Sequence, residues 1–414
     1  MNNIITKKRY YPTALVLYLN YLFDGMQNII LAQCMAPLML QLGTNKSGVA
    51  YVISGLGIGK IAVLLIAGVL SDKYGRRLFV NLGIGVFIVF FVGILCSKSV
   101  IVAFIFAIIG GMANSFLDAG TYPALMDAFP ESAGTANILI KAFIAAGQFI
   151  LPLMVGYLLS HNLYFGYSFI FCIIGYVILG LFMFKLPFAD EDKKRNKSYD
   201  KNQYDKENTS VEKTNNFISK PRFSIEGITL IAIGFTCTTT FYLISVWLPT
   251  YGQEVVGMSK TASLALVSYY SIGSLISVFI TAYLVKSLIK PVTVLFVYPL
   301  ISLIFLLILW LTPSPTTCII CGFMIGFAAA GGVLQLTITT MAQFFPGGKG
   351  KATGMVNTAC SAAFFIIPVA TGIISKTSIS NIILLNIVIT GIGVLLAIIV
   401  NIRHHKVFGI SCKE

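Results

Sequence analysis

Charge is what this chain has least of. Of its 414 residues, 11% are Asp, Glu, Lys or Arg, where a soluble protein carries about 25%. That is too little polar side chain to coat a water-facing surface, and it excludes a soluble enzyme of one or two domains. Histidine is scarce as well. His161, His404 and His405 are the three, all at or beyond the ends of apolar runs. No metal set and no nucleophile triad can be built from them, which argues against a membrane-embedded enzyme. His404-His405 in a basic tail reads as a solvated face. The eight cysteines lack a pattern. Cys34, Cys96, Cys172 and Cys360 lie inside apolar runs and read as small buried hydrophobes, not a disulfide framework. Cys318-x-x-Cys321 has redox spacing but no His or charge beside it, so nothing would activate a thiolate there.

What the chain does have is apolar sequence: 57% of residues are hydrophobic and the mean hydropathy is +0.87. A membrane-spanning helix needs about 20 apolar residues. Apolar runs fall at about 13–37, 48–70, 78–97, 101–127, 137–160 and 164–187, then at about 226–250, 261–285, 291–312, 316–343, 351–375 and 379–402. This predicts an all-α membrane protein of twelve spans with short connections. Nothing before the first run reads as a cleavable signal.

The basic residues predict the orientation. With both termini in the cytoplasm, 23 of the 29 Lys and Arg face inward. They include Lys7, Lys8, Arg9, Lys73, Arg76, Arg77, Lys286, Lys290, Lys349, Lys351, Arg403, Lys406, Lys413 and ten between Lys185 and Arg222. Only Lys46, Lys98, Lys260 and Lys376 face outward, and Lys60 and Lys141 fall inside spans. This is the positive-inside rule, with a location in the cell membrane. It accounts for the net charge of +14 without a nucleic-acid partner. The partner this distribution implies is the lipid bilayer.

One long polar segment interrupts the apolar pattern. Residues 188–223 lack apolar periodicity and read as a flexible cytoplasmic linker between bundles over 1–187 and 224–414. The two bundles repeat each other. At a shift of 216 residues, Phe129-Pro130 meets Phe345-Pro346, Pro152 meets Pro368, Gly134 meets Gly350 and Gly156 meets Gly372. Repeated halves are how many secondary transporters form two faces around a midplane site.

Between the second and third runs lies Gly68-x-x-x-Asp72-Lys73-x-Gly75-Arg76-Arg77. With the twelve spans, the 6+6 repeat and the long central loop, this motif resembles the second-to-third-span loop signature of the major facilitator superfamily, over essentially the whole chain. The resemblance implies two pseudo-symmetric six-helix bundles. It also implies a latch in which Asp72 packs at the cytoplasmic end of the eleventh span and holds the outward-open state. An acid is favoured there by the helix dipole. Arg76 would pair with Asp127. The matching loop of the second half, Lys286 to Pro291, lacks the acid and the glycine, so the latch is expected to be one-sided.

Finer resemblances conflict. Asp24-Gly25 followed by Pro37, and Trp247-Leu-Pro249-x-Tyr251 with Gly257-Met258-Ser259, look like organic-anion/proton symporters. Acids in the first and fourth spans look like sugar/proton symporters. Efflux members carry a glycine-proline pattern in the fifth span, which here has Leu151 and Val155 in place of two of its glycines.

Four ionisable residues fall within spans: Asp24, Lys60, Asp118 and Lys141. Each costs roughly 2.5–3.5 kcal/mol at mid-helix unless it faces water or a partner. Two neutralised structural pairs are the bland explanation. Tyr21, Asp24 and Asn28 share one face of the first span, and Asn114, Asp118 and Tyr122 one face of the fourth. The resemblance places both spans at the central cavity. A carboxylate drawn out of water takes up a proton more readily, so Asp24 and Asp118 are the proton-coupling candidates. Lys60 is expected to pair with Asp24. Lys141 either snorkels to the cytoplasm or anchors an anionic solute. Gly55-x-Gly57-x-Gly59 reads as a site of close helix approach.

The repeat maps these charges onto neutral residues, Asp24 onto Thr240, Asp118 onto Leu334 beside Gln335, and Lys141 onto Asn357. The remaining cavity candidates are therefore Gln27, Thr240, Tyr242, Gln335 and Asn357. Phe241, Tyr242 and Trp247 read either as a stacking surface or as packing. The leading expectation is proton-coupled symport of a small polar solute, an organic acid or a sugar, by alternating access. A drug or metabolite/proton antiporter is the alternative, and a non-transporting sensor a distant third. No cofactor beyond the proton gradient is expected, and the chain should work as a monomer.

Overall fold

The computed structural model describes residues 2–129, 133–189, 191, 219–345 and 349–409. Of the expected linker 188–223, residues 190 and 192–218 lie outside the described residues, as do the loop residues 130–132 and 346–348. Among the described residues there is no strand. The helices are α1 (Asn2–Gln33), α2 (Met35–Gln41), α3 (Lys46–Tyr74), α4 (Arg76–Cys96), α5 (Val100–Ala128), α6 (Ala133–Ser160) and α7 (Tyr167–Met183). A one-turn π segment, Phe223–Gly227, leads into α8 (Ile228–Glu254). Then come α9 (Lys260–Ser287), α10 (Pro291–Leu311), α11 (Pro315–Ala330), α12 (Val333–Phe344), α13 (Lys349–Ile374) and α14 (Ser380–Phe408).

Eleven described spans are long and apolar enough to cross a membrane, and α7, at 17 residues, is a shorter apolar twelfth. Two apolar runs are broken. The first bends at Cys34, and α2 continues it. The tenth divides at Gly331-Gly332 into α11 and α12, with Gly332 at φ +113°. A side chain at Gly332 would be strained, because only glycine adopts that backbone without cost. The equivalent fourth span, α5, is unbroken.

Two ends of the bundle are distinguished by sequence. The Lys/Arg-rich loops gather at the basic end, and the other is the far end. Of the helices that start at the far end, α3, α5, α9 and α11 are each capped by a polar side chain. Asn45, Ser99, Ser259 and Ser314 accept the third backbone N–H of their helices. Such a cap satisfies a donor that the helix itself leaves free.

α1 packs on α6 and α7, α3 and α4 pack on α5, and α4 packs on α7. In the second half α14 packs on α8 and α10, α13 on α8, and α9 on α11. The halves meet along α3 with α13 and along α6 with α9. A shift of 216 residues exchanges these two pairs, so the repeat in the sequence is a two-fold relation in the interface.

Between lipid-facing helices there is little hydrophobic drive, so close packing of small residues has to hold them. α3 shows this. A Cβ on Gly55 or Gly59 would run into the backbone of α5 at Phe104 and Ile108. One on Gly57 would come within 2.4 Å of the Phe365 backbone in α13, across the interface. α3 is buried along its far half, where Val49, Ala50, Val52 and Ile53 are 3% exposed or less. It is uncovered along its basic half, where Ile66 is 59% and Val69 69% exposed.

Candidate functional site

The cleft between the halves takes shape at mid-depth. α1 and α6 cross backbone to backbone there, since a Cβ on Gly25 would overlap the Ile144 carbonyl and one on Gly147 the Leu22 carbonyl. This crossing carries Asp24 inward and sets it beside the α6 turn that holds Lys141. A cleft opens between Gln27, Asn28, Lys60 and Asn114 on one side and Tyr242 and Phe364 on the other.

Asp24 is 2% exposed. Asn114 Nδ2 donates to its Oδ1 at 2.6 Å and Asn28 Nδ2 to its Oδ2 at 3.1 Å. Both donors are neutral amides. Asp118 is held differently. The Tyr21 hydroxyl donates to its Oδ1 at 2.6 Å, and Lys60 Nζ lies 3.5 Å from its Oδ2. The expected Lys60–Asp24 pair is therefore corrected: Lys60 pairs with Asp118. The cause is the crossing of α3 with α5, where Ser115 Oγ also donates to the Lys60 carbonyl at 2.9 Å. Tyr122 meets Tyr21 edge-on at 5.9 Å and closes the site below Asp118.

Lys141 does not snorkel to the basic end. α6 starts at Ala133, four residues before the apolar run, so Lys141 lies eight residues in, about 12 Å at 1.5 Å per residue. Its ammonium is within electrostatic reach of Asp118, Lys60 and Asp24 in its own half and of Cys360 in α13. Among the described residues no carboxylate pairs with it.

The second half supplies neutral groups. The Tyr242 hydroxyl is buried and without a partner, and its ring meets Phe364 edge-on at 5.0 Å. Asn114 Oδ1 is a second buried atom without a partner on the same cleft. Phe364 also faces Lys60, 5.9 Å from ring centroid to Nζ. Thr240 is turned away. Its hydroxyl shares a hydrogen bond with Thr390 at 2.8 Å, inside the second bundle. Trp247 is 1% exposed and donates to Thr371 Oγ1 at 3.1 Å, so it packs rather than presents a stacking face. Gln335 and Asn357 are half-buried on α12 and α13, and like Asp24, Asp118 and Lys141 they are not among the residues that line the cleft wall.

At the basic end, Asp72 pairs with Arg76 one turn on, and Arg76 Nη1 donates to Ser71 Oγ at 3.2 Å. Asp72 remains 69% exposed. Gly75 adopts φ +107° and turns the chain from α3 into α4. Arg77 donates to the Leu186 carbonyl at 2.5 Å and pairs with Glu191 at 2.9 Å, which pins the chain after α7. Nothing lies within 4 Å of a Cβ placed on Gly68. Asp127 is half-buried near the end of α5.

Sequence reasoning missed one buried charge. Glu226, 1% exposed, accepts from Arg403 at 2.5 Å and from the Arg222 backbone N–H at 2.8 Å. It sits at the edge of an apolar run, where a carboxylate reads as a loop residue, and its partner is 177 residues away.

At the far end the halves are closed. Lys46 of α3 pairs with Glu254 of α8. Deeper, the Ser268 hydroxyl of α9 donates to the Phe149 carbonyl of α6 at 2.9 Å. Gly372 of α13 packs against Ser47 and Ala50 of α3.

A sequence model of the Major Facilitator Superfamily matches residues 14–368. The inner membrane transport protein YdiM of Escherichia coli K12 is 45% identical over 401 residues, covering 97% of this chain and 96% of that protein. The MFS-type transporter YfkL of Bacillus subtilis 168 is 41% identical, covering 96% and 98%. Among solved structures, the D-xylose-proton symporter superposes with a TM-score of 0.73 at 13% identity, covering 94% of this chain and 97% of that one. An inward-open structure of the xylose transporter XylE from E. coli gives 0.72 at 14% identity, covering 94% and 95%. At those identities the likeness concerns the fold, and it extends over both halves. The family match and the two relatives, which align with almost the whole chain, agree: the chain is a multi-pass membrane transporter that belongs to the major facilitator superfamily.

Proposed function

We propose that the chain is a proton-coupled symporter that carries a small polar solute, an organic acid or a sugar, by alternating access, with Asp24 as the proton site. The observation that carries this reading is the contrast between the two carboxylates. Asp118 has its charge matched by Lys60. Asp24 is out of water and touches only neutral amides. A buried carboxylate without a cation against it is the one best placed to exchange a proton. Asn114 suits both forms. Its Nδ2 donates to the charged carboxylate, and its Oδ1, turned over, accepts from the protonated one.

The basic end is placed in the cytoplasm, with both termini, on the distribution of Lys and Arg. The closed far end and uncovered inner half of α3 then correspond to an inward-facing state. In that state Asp72 is paired with Arg76 on its own loop. The open space over Gly68 is where the second half would arrive when the inner side shuts. The bundle bounds 1–187 and 224–414 fit this rocking motion.

Proteoliposomes loaded with a pH dye test the reading. Sugars, organic acids and cationic drugs are added outside in turn. Internal acidification with one class supports symport. Alkalinisation makes the chain an antiporter and sinks the symport reading. Loss of the acidification in Asp24→Asn supports the proton site, and an unchanged signal there refutes it.

A further inference from the structure

Resting on that symport reading, we infer that the solute is a monocarboxylate, that its carboxylate binds at Lys141, and that proton and solute cross together without net charge.

The argument is one of partners. Four formal charges share the space between the halves: Asp24 from α1, Lys60 from α3, Asp118 from α5 and Lys141 from α6. On α8 and α13 the titratable groups within electrostatic reach of Lys141 are two thiols, Cys237 and Cys360. Lys60 and Asp118 are in contact and cancel. Asp24 and Lys141 also cancel in sum but do not touch. Asp24 has its two amides, and among the described residues no carboxylate touches Lys141, which Asp118 and Asp24 reach only at longer range. A cation kept at mid-depth of a membrane protein without a counter-ion is expensive. It is sustained only where an anion or water reaches it.

Protonation then has a definite consequence. When Asp24 takes a proton, Lys141 becomes the one charge with no opposite. One added negative charge restores balance, and a carboxylate supplies one. A phosphomonoester supplies about 1.5–2 and would overshoot. Proton at Asp24 and anion at Lys141 therefore favour each other, and by linkage each raises the affinity for the other. The loaded cleft carries the same formal charge as the empty one, so both forms cross on equal electrostatic terms. A neutral sugar would leave the proton's charge unbalanced. The remaining contacts suit a hydroxylated or aromatic skeleton. The Tyr242 hydroxyl and Asn114 Oδ1 are buried without partners, and Phe364 offers a ring face across the cleft.

The test uses acid and neutral members of one skeleton in dye-loaded proteoliposomes: galacturonate against galactose, gluconate against glucitol, 3-hydroxybenzoate against 3-hydroxybenzyl alcohol. Accumulation is read with the membrane potential clamped near zero and near −100 mV. At least one acid is expected to acidify the lumen, with its neutral partner silent. Accumulation of that acid should not change with potential. An electrogenic step moving one charge would change it about fiftyfold per 100 mV. In Lys141→Gln the half-saturating acid concentration should rise at least thirtyfold, while Lys141→Arg stays within fivefold.

Transport of a neutral member as well as its acid overturns the inference, and so does potential-dependent accumulation. Failure of every acid either to move or to raise the thermal stability of the detergent-purified protein also overturns it. If Lys141→Gln does not fold, the acid/neutral comparison on the parent protein still decides. The two readings fail separately. Acid counterflow with no proton movement refutes symport and leaves the carboxylate at Lys141 standing. Proton movement driven by a neutral sugar leaves symport standing and refutes the carboxylate.

Discussion

The two halves of this transporter share a backbone plan but not an interior. In the first half, Asp24, Lys60, Asp118 and Lys141 bring four charges to mid-depth, with Asn28 and Asn114 on Asp24 and Tyr21 and Lys60 on Asp118. In the second half the equivalent depth holds hydroxyls and amides. Thr240 is bonded to Thr390, and Asn386 Nδ2 donates to the Thr240 carbonyl at 3.2 Å. Its buried charge pair, Glu226–Arg403, lies out at the basic end. A duplicated fold does not need duplicated chemistry. One half keeps four charges at mid-depth, and the other gives a neutral wall opposite them. The second half also carries the break at Gly331-Gly332 that α5 lacks.

That contrast can be broken at its strongest point first. Asp24→Asn removes the one mid-depth carboxylate that no cation matches. Uphill accumulation in proteoliposomes should fall at least a hundredfold, while solute exchange stays within about tenfold. Equal loss of both would make Asp24 a binding group and not a coupling group.

Gly57→Ala tests whether the shared backbone plan needs the contact between α3 and α13. A methyl there overlaps the Phe364–Phe365 backbone. The far end should no longer close, and spin labels on the far ends of α3 and α13 should report a longer distance. An unchanged distance would show that this contact does not hold the closed state.

The Lys60–Asp118 pair asks how much of the first half's charge is structural. Its side chains are 27% and 22% exposed, which lowers its value below that of a fully buried pair. Lys60→Gln or Asp118→Asn alone should cost about 2 kcal/mol of stability, because each leaves an unmatched charge, while the double variant costs less than the sum. Additive losses, read by thermal unfolding in detergent, would mean that the two residues act independently.

Smaller effects belong to the periphery and to the neutral half. Lys46→Ala should loosen the far end only slightly, since an exposed pair is worth about 0.2–1 kcal/mol. Its effect on label distance should vanish in high salt. Thr240→Val should leave transport within about twofold, as its hydroxyl faces Thr390 and not the cleft. A large loss of transport in Thr240→Val would give the second half a solute contact that the structure does not show.

Much of this was legible in the amino-acid sequence, for identifiable reasons. The membrane class and the twelve spans follow from apolar run length, because a bilayer forces about 20 residues of apolar helix whatever the neighbours are. The two-fold plan follows from prolines and glycines, such as Pro152 and Pro368, that keep their spacing across 216 residues. Asp24, Asp118, Lys60 and Lys141 stood out because charge in an apolar run is costly and rarely idle. Their partners were not legible. Spacing along one helix places Asp24 and Asn28 on a common face, but only the crossing of α3, α5 and α6 decided that Lys60 reaches Asp118 and that Lys141 reaches neither carboxylate. The same holds for Thr240, which the repeat aligns with Asp24 but which the packing of α8 on α14 turns away from the cleft. Element type is a property of a local stretch of chain. Which side chain meets which is a property of helix crossings, set by residues far apart in sequence that no local pattern records.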